Sequence, residues 1–250
     1  MVDTGRLAPD AVRTMFDRIA PVYDVMNRVM TGGLDVRWRR LAARAVVRPG
    51  DVVLDAACGT GDLALADRRA GASAVTGLDF SAQMLARARR KAPELEWIQG
   101  DLLELPFADG SYDAATVGFG IRNVADLELA LRELRRVLRP GGRLAILEIT
   151  QARGAMRPFC SLWFDRIVPV LGKLLPGGAA YTYLPASVRR FPAAEELAKL
   201  MGDAGFGGVE FRLLGGSIVA LHTGSVLGGG GSPEPQRSGG SGLAGAGAGK

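Results

Sequence analysis

The residues with the clearest capacity for chemistry are two acids set around a pair of glycines. In Asp51-Val-Val-Leu-Asp-Ala-Ala-Cys-Gly-Thr-Gly-Asp62 the short apolar run Val52–Leu54 ends in Asp55, and Gly59-Thr60-Gly61 follows before a helical pattern begins. A second acid, Asp79, closes the next apolar run, Ala74-Val-Thr-Gly-Leu-Asp79. The pattern reads as strand, glycine turn and helix start. Glycine permits backbone angles closed to other residues and lets a ligand approach the main chain. A helix start offers free N–H groups and a partial positive charge. In an open α/β sheet, ligands bind at this place, beyond the carboxyl ends of the strands.

The type of ligand follows from the acids. Gly59-x-Gly61-x-x-Ala64 also fits the looser dinucleotide fingerprint. A dinucleotide would bring its pyrophosphate here, where Asp55 would repel it. Asp55 is better suited to hydrogen bonds from an amino-bearing or cationic ligand. Asp79 lies about 20 residues beyond the turn, the spacing at which an acid reaches ribose hydroxyls. Together they suit an adenosyl ligand with an amino-acid end and no phosphate, namely S-adenosylmethionine. The competing reading is a turn that only packs helix on strand.

Further candidates stand at the ends of other predicted elements. Residues 10–48 are helical in pattern, with Val12, Met15, Phe16 and Ile19 at helical spacing, Pro21 as an interruption, and Gly32-Gly33 before a second helix carrying Trp38 and Leu41. This N-terminal cap, residues 1–48, is expected either to pack on the sheet or to act as a lid, with Tyr23 and Asp24 as its polar residues to watch. A third strand, Leu95–Gln99, leads to Asp101 and Leu102, which read either as an adenine contact or as an exposed loop. The fourth, Ala114–Val117, leads to Gly118-Phe119-Gly120-Ile121-Arg122-Asn123-Val124. Two glycines and a phenylalanine make an open floor for an aromatic substrate. Arg122 and Asn123 can stabilise a substrate oxygen there, unless Arg122 pairs with a structural acid.

Ser81 suits the N-cap of a helix over Ala82–Lys91. An amphipathic helix over Ala125–Leu138 is ended by Pro140-Gly141-Gly142, and a fifth strand is expected over Arg143–Ile149. Alternation of strand and helix predicts a doubly wound, mostly parallel α/β sheet. An apolar helical insertion is expected over about 153–192; it carries Asp165, Arg166 and Lys173, so it is too short and too charged to span a bilayer. It reads equally as a core helix or as a face for membrane or a greasy ligand. A helix over Ala193–Ala204 precedes two strands, Phe206–Leu213 and Ser217–Leu221, expected as a C-terminal hairpin. His222, the only histidine, stands at a strand end where a structural role is the commoner one. The tail, residues 225–250, is rich in glycine and without periodicity, as in disordered segments.

At 250 residues and 48% apolar composition, the chain suits one α/β domain with additions. The formal net charge is +5 and the pI about 9.6. The arginines are scattered and not interleaved with aromatics, which argues against nucleic acid. Cys58 and Cys160 make no disulfide framework and have no metal-ligand spacing, so no metal is expected. They read as reduced cytosolic thiols, with Cys58 filling space beside the glycine turn.

Several motifs resemble a known family. They are Phe16-Asp17-x-Ile19-Ala20-x-x-Tyr23-Asp24-x-Met26-Asn27, Leu54-Asp55-x-Ala57-Cys58-Gly59-Thr60-Gly61-Asp62, Leu105-Pro106-Phe107, Gly118-Phe119-Gly120-Ile121-Arg122-Asn123-Val124, Val137-Leu138-x-Pro140-Gly141-Gly142 and Tyr183-Leu184-Pro185-x-Ser187-x-x-x-Phe191-Pro192. Over roughly residues 12–224 the chain resembles the ubiquinone/menaquinone-biosynthesis C-methyltransferases, and more closely the demethylmenaquinone methyltransferases. The stretches 119–124 and 183–192 carry most of that specificity.

The resemblance implies a seven-stranded Rossmann-like fold that uses S-adenosylmethionine, with cofactor contacts at Thr60, Asp79, Asp101 and Leu102. Asp55, Gly59 and Gly61 join them from the residue reading. Gly118 stands where some members carry a serine near the cofactor, and Asp35 where some carry a histidine. The expected reaction is methyl transfer to a ring carbon of reduced demethylmenaquinone, giving menaquinol. A benzoquinol or another small aromatic or lipid substrate is the alternative. Arg122, Asn123, Tyr23 and Asp24 are the candidate catalytic residues. The implied partner is a prenylated hydroquinone, which suggests a cytoplasmic enzyme in peripheral contact with the inner face of the cell membrane. A homodimer is left open.

Overall fold

The computed structural model describes residues 9–151 and 178–227. The chain opens with three helices, α1 (Pro9–Ile19), α2 (Tyr23–Thr31) and α3 (Leu34–Val46). The sequence led us to expect two. Pro21 ends α1, but the Tyr23 motif then forms a helix of its own. That helix stops at Gly32, whose left-handed backbone returns its N–H to Arg28 and Val29.

The body alternates β1 (Val52–Ala56), α4 (Asp62–Ala70), β2 (Ala74–Asp79), α5 (Ala82–Lys91) and β3 (Glu96–Gln99). It continues with β4 (Tyr112–Gly118), a 3-10 turn (Ile121–Asn123), α6 (Leu127–Val137) and β5 (Leu138–Ile149). After the stretch outside the described residues come α7 (Gly178–Arg190), α8 (Ala194–Asp203), β6 (Phe206–Leu214) and β7 (Val219–Val226). The seven strands form one sheet in the order β3-β2-β1-β4-β5-β7-β6. The first five run parallel, and β7 lies antiparallel between β5 and β6. The sheet is the doubly wound one expected, with the C-terminal hairpin.

Both faces are buried, as parallel sheets require. Successive strand residues therefore enter opposite cores: Val53 and Ala114 face one with Trp38, Leu63, Leu85 and Trp97, while Leu54 and Ala115 face the other with Leu131, Leu134, Leu197 and Met201. α3 belongs to the first of these cores through Trp38, Ala42, Ala43 and Val46. It is thus part of the body, and α1 and α2 are laid on the ligand end. Ser81 caps α5 as expected, accepting from the Met84 N–H at 3.1 Å.

Two segments depart from expectation. Pro140-Gly141-Gly142 does not separate helix from strand; β5 already begins at Leu138, opposite Tyr112, and the extra residues bulge out before Arg143 pairs with Ala114. The last strand runs Val219–Val226 instead of Ser217–Leu221, because it pairs along the length of β5 and β6, and this puts His222 inside the strand and not at its end. The Tyr183-Leu184-Pro185 motif lies inside α7, within the helical stretch expected there. The apolar stretch between Ala152 and Gly177, Cys160, and the tail from residue 228 onward lie outside the described residues. Among the described residues, no helix is long and apolar enough to cross a membrane.

Candidate active site

The strand order places β1 beside β4, and their connections leave in opposite directions. This opens a crevice at the carboxyl ends of the strands, where ligands collect in such sheets. Asp55 lies at its floor, fully buried. Its Oδ2 accepts the Ala64 N–H at 2.8 Å, tying β1 to the first turn of α4. Its Oδ1 is buried and has no hydrogen-bond partner. Burial pushes the Asp55 carboxyl up to about 8, against the Ala64 N–H and the nearby charge of Arg39.

Asp79 is the next acid along the edge. Its two oxygens accept the Gly59 N–H at 2.8 Å and the Ser81 N–H at 2.9 Å. Burial raises it to about 6, and these backbone donors restrain the rise. The glycine turn is built as the sequence suggested. At Gly61 the backbone is left-handed, and a Cβ would sit 2.4 Å from the Trp97 ring, so no other residue fits without movement.

The opposite wall comes from the ends of β1 and β4. Ala57 and Phe119 both hold left-handed backbone, at φ 55° and 59°. Such conformations in residues other than glycine cost about 1–3 kcal/mol each and concentrate at functional sites. Between them Gly120 passes so close that a Cβ there would lie 2.6 Å from the Ala57 Cβ. Asn123, in the 3-10 turn, keeps a buried Oδ1 without a partner. Arg122 does not point free into the crevice. Its Nη1 donates to Glu148 Oε1 at 2.7 Å and to the Phe119 carbonyl at 2.5 Å, the structural pairing that the sequence left open. Its Nε is buried without a partner.

The N-terminal helices close the top. Tyr23 and Phe16 line the crevice beside Gly59 and Phe80. Thr60 donates to Asp24 Oδ1 at 2.5 Å, and Lys91 Nζ reaches Asp24 Oδ2 at 2.7 Å, Asp62 Oδ1 at 2.6 Å and Thr60 Oγ1 at 3.3 Å. Asp17 in α1 likewise accepts the Ser81 hydroxyl at 2.6 Å. From α3, Arg39 also enters the wall. It pairs with Asp35, which accepts the Thr31 hydroxyl at 3.1 Å, and its guanidinium lies 5.2 Å from the Phe119 ring centroid.

The crevice divides into two connected spaces. An inner cavity of about 50 Å³ is lined by Asp55, Gly59, Thr60, Asp62, Arg39, Tyr23 and Gly118, among others. An outer cavity of about 830 Å³ is lined by Asp101, Leu102, Arg122, Tyr183, Arg190 and Phe191. Ala57, Asp79, Phe80, Gly120 and Asn123 border both. Asp101 is exposed, with Oδ1 accepting the Leu103 N–H at 2.9 Å, and Leu102 is buried beside it. At Gly118 a Cβ would meet Leu63 Cδ2 at 2.9 Å, so a serine here requires Leu63 to turn.

His222 lies apart from this chemistry, while Cys58 lines the inner cavity. His222 borders neither cavity; its Nε2 lies 2.8 Å from the Ala194 carbonyl, its ring packs on Phe211, and burial lowers its pKa. Cys58 is buried, with its thiol pushed well up by burial.

The residues that sequence reasoning passed over are Arg39, Lys91 and Glu148. Arg39 did carry a signal, an acid four residues before it, but that spacing is shared by ordinary exposed helix pairs. Lys91 and Glu148 carried none, because their partners are remote in the chain.

This geometry meets an independent comparison. Residues 5–226 match the model of the ubiE/COQ5 methyltransferase family. The chain is 48% identical to the demethylmenaquinone methyltransferase of Thermus thermophilus, over 84% of this chain and 99% of that protein. It is 42% identical to the ubiquinone/menaquinone biosynthesis C-methyltransferase UbiE of Paracoccus denitrificans, over 86% of this chain and 90% of that one. Among solved structures, the [4+2]-cyclase SpnF superposes with a TM-score of 0.66 at 20% identity, covering 87% of this chain and 96% of its own. A SAM-dependent methyltransferase of Aquifex aeolicus gives 0.55 at 17% identity, covering 78% and 92%. These two show the shared fold. The first matches show the family: the chain is a member of the ubiE/COQ5 methyltransferases.

Proposed function

We propose that this chain transfers the methyl group of S-adenosylmethionine to a ring carbon of reduced demethylmenaquinone, giving menaquinol. The observation that carries the reading is the buried, unpartnered Oδ1 of Asp55 beside the glycine turn. A buried carboxyl oxygen without a donor costs free energy unless a ligand supplies one. The family's cofactor has such a donor in its α-ammonium. The fit continues outward: Asp79 borders both cavities where a ribose would pass, and Asp101 and Leu102 line the outer one. An 830 Å³ outer space lies in the usual range for a ligand site of about 300–1,000 Å³.

In this reading Asp55 holds the amino end, Gly59 and Gly61 cradle it, and Thr60 lies at its side. Asp79 takes the ribose, Asp101 the adenine amino group and Leu102 the ring face, while the Gly118 backbone borders the inner cavity. When bound, S-adenosylmethionine supplies an electrophilic methyl carbon on a sulfonium. The protein's part is to make the ring carbon nucleophilic and to aim it. A quinol carbon gains electron density when a neighbouring hydroxyl loses its proton. Asn123, with its free Oδ1 at the junction of the cavities, orients that hydroxyl. Arg122 fixes the loop through Glu148 and adds its field to the developing oxyanion. Tyr23, or a water held by Asp24, relays the proton. α1 and α2 exclude bulk water from the inner cavity.

The aromatic and apolar rim made by Tyr183, Phe191 and Pro192 gives a prenylated ring a way out of the outer cavity. A substrate with such a tail is drawn from a membrane, so the enzyme works in peripheral contact with one. The relatives named demethylmenaquinone methyltransferase favour the naphthoquinol over the benzoquinol. The test is transfer of labelled methyl with reduced demethylmenaquinone and a reduced demethylated ubiquinone precursor offered side by side. Label in the naphthoquinol is expected; label in neither quinol, with cofactor binding intact, would remove the substrate assignment.

A further inference from the structure

The inner cavity has an uneven charge. Its wall carries three carboxylates, Asp55, Asp62 and Asp79, and a single cation among the described residues, Arg39. Asp62 is answered by Lys91 and Arg28, and Asp79 by backbone N–H groups. Asp55 and Arg39 remain. They feel each other's charge, yet no hydrogen bond joins them. One presents an acceptor with no donor, and the other a guanidinium whose described hydrogen bond is to Asp35 through Nη1 alone.

Arg39 is held for a purpose other than solvation. Its side chain is 8% exposed. Asp35 fixes it from one helical turn below, Thr31 fixes Asp35, and the Phe119 ring supports its flat face. That ring is set there by a left-handed backbone at Phe119, a conformation the fold must pay to keep. A guanidinium braced on two sides keeps the rest of its donor fork pre-aimed. An acceptor and a donor fork facing one small space, and not spent on each other, match a zwitterion. The space of about 50 Å³ takes a few non-hydrogen atoms, by the measure of about 10–15 Å³ for one water. That suits the head of an amino acid and excludes an adenosine.

We infer that Arg39, positioned by Asp35 and Phe119, binds the α-carboxylate of the cofactor's amino-acid end while Asp55 binds its α-ammonium. This rests on the proposed reading that the cofactor's amino-acid end enters the inner cavity. It assigns Arg39 a cofactor-binding role that the sequence did not suggest. It also accounts for Asp35, whose acid tethers the arginine where some members of the family carry a histidine.

The test is calorimetric binding of three ligands to wild type, Arg39→Met and Arg39→Lys: S-adenosylhomocysteine, its decarboxylated counterpart, and 5′-methylthioadenosine, which lacks the whole amino-acid end. Wild type should bind S-adenosylhomocysteine more tightly than the decarboxylated ligand. Arg39→Met should lose about 10- to 100-fold in affinity for S-adenosylhomocysteine, the range for one charge-assisted hydrogen bond. It should bind the other two ligands as wild type does, within about two-fold. Arg39→Lys keeps the charge without the fork and should show a smaller loss, again confined to the carboxylate-bearing ligand. It carries the test if the methionine variant does not fold. Equal losses for all three ligands would make Arg39 a structural residue and overturn the inference. Wild type that binds S-adenosylhomocysteine no better than 5′-methylthioadenosine would instead remove the reading of the inner cavity on which it rests.

Discussion

Asp55 enters the ligand-free site largely protonated at neutral pH, because burial raises its carboxyl to about 8. An arriving ammonium is best held by the carboxylate, so cofactor binding should expel the proton. At pH 7 we expect about one proton released per S-adenosylhomocysteine bound, read from the buffer dependence of the binding enthalpy. Asp55→Asn should abolish the release and weaken binding. A wild-type enthalpy independent of buffer would contradict this. The Arg122–Glu148 pair makes a second prediction at this scale. Both side chains are nearly buried, so removing one partner strands the other's charge. Glu148→Ala should cost about 3–5 kcal/mol of stability in denaturant unfolding, and Arg122→Met with Glu148→Gln in one chain clearly less. Loss of activity in Arg122→Ala alone would therefore mix folding with chemistry, and the paired variant separates them.

At the scale of elements, α2 is fastened over the crevice by polar contacts. Lys91, Asp24, Thr60 and Asp62 meet at the glycine turn with side chains part-exposed, where ion pairs are worth about 0–1 kcal/mol each. Lys91→Met should therefore leave global stability within about 1 kcal/mol of wild type while speeding amide exchange in Tyr23–Thr31. Unchanged exchange there would mean that the Lys91 ion pairs do not hold α2 in place. What could be read from sequence divides along the same lines. β1, its glycine turn and α4 were legible because acid, glycine and apolar run are local signals, and α5 was legible from Ser81 and its pattern. α7 was legible as part of a helical stretch but not in its bounds, since Pro185 is a helix breaker in isolation and packing of Leu184 and Ser187 overrides it. The start of β5 was hidden because Pro140-Gly141-Gly142 has turn chemistry, and only the pairing with β4 draws it into the sheet. Arg39 was hidden for a related reason. A sequence shows the spacing from Asp35 but not which side of α3 faces the crevice.

For the molecule as a whole, the site is a store of unfavourable burial. Asp55 binds its proton more tightly folded, at about 8, than at its ordinary 3.8, and Asp79 does so at about 6. The folded state thus holds more protons than the unfolded one in these windows, and stability falls as pH rises through them. His222 acts in the other sense, since its folded value lies below 6.5 and its stabilisation is lost as pH falls. Above pH 6.5 it no longer opposes the acids. Between pH 6.5 and 8 the ligand-free protein should lose stability as Asp55 gives up its proton, and buried Asp67, whose carboxyl burial also pushes well up, acts in the same sense. Asp55→Asn should reduce that slope, leaving the part that Asp67 contributes. A wild-type protein equally stable at both pH values would count against the buried, unpaired state of this acid. The seven-stranded sheet can carry such a load because both of its faces are closed by apolar cores.

Where the cofactor's two ends lie is decided by a crystal structure with S-adenosylhomocysteine. The amino nitrogen should lie on Asp55 Oδ1, the carboxylate on Arg39, the ribose on Asp79, and the adenine between Asp101 and Leu102, with α2 closed above. A nucleoside bound with Asp55 still unpartnered, or with its adenine at the glycine turn, would contradict this placement.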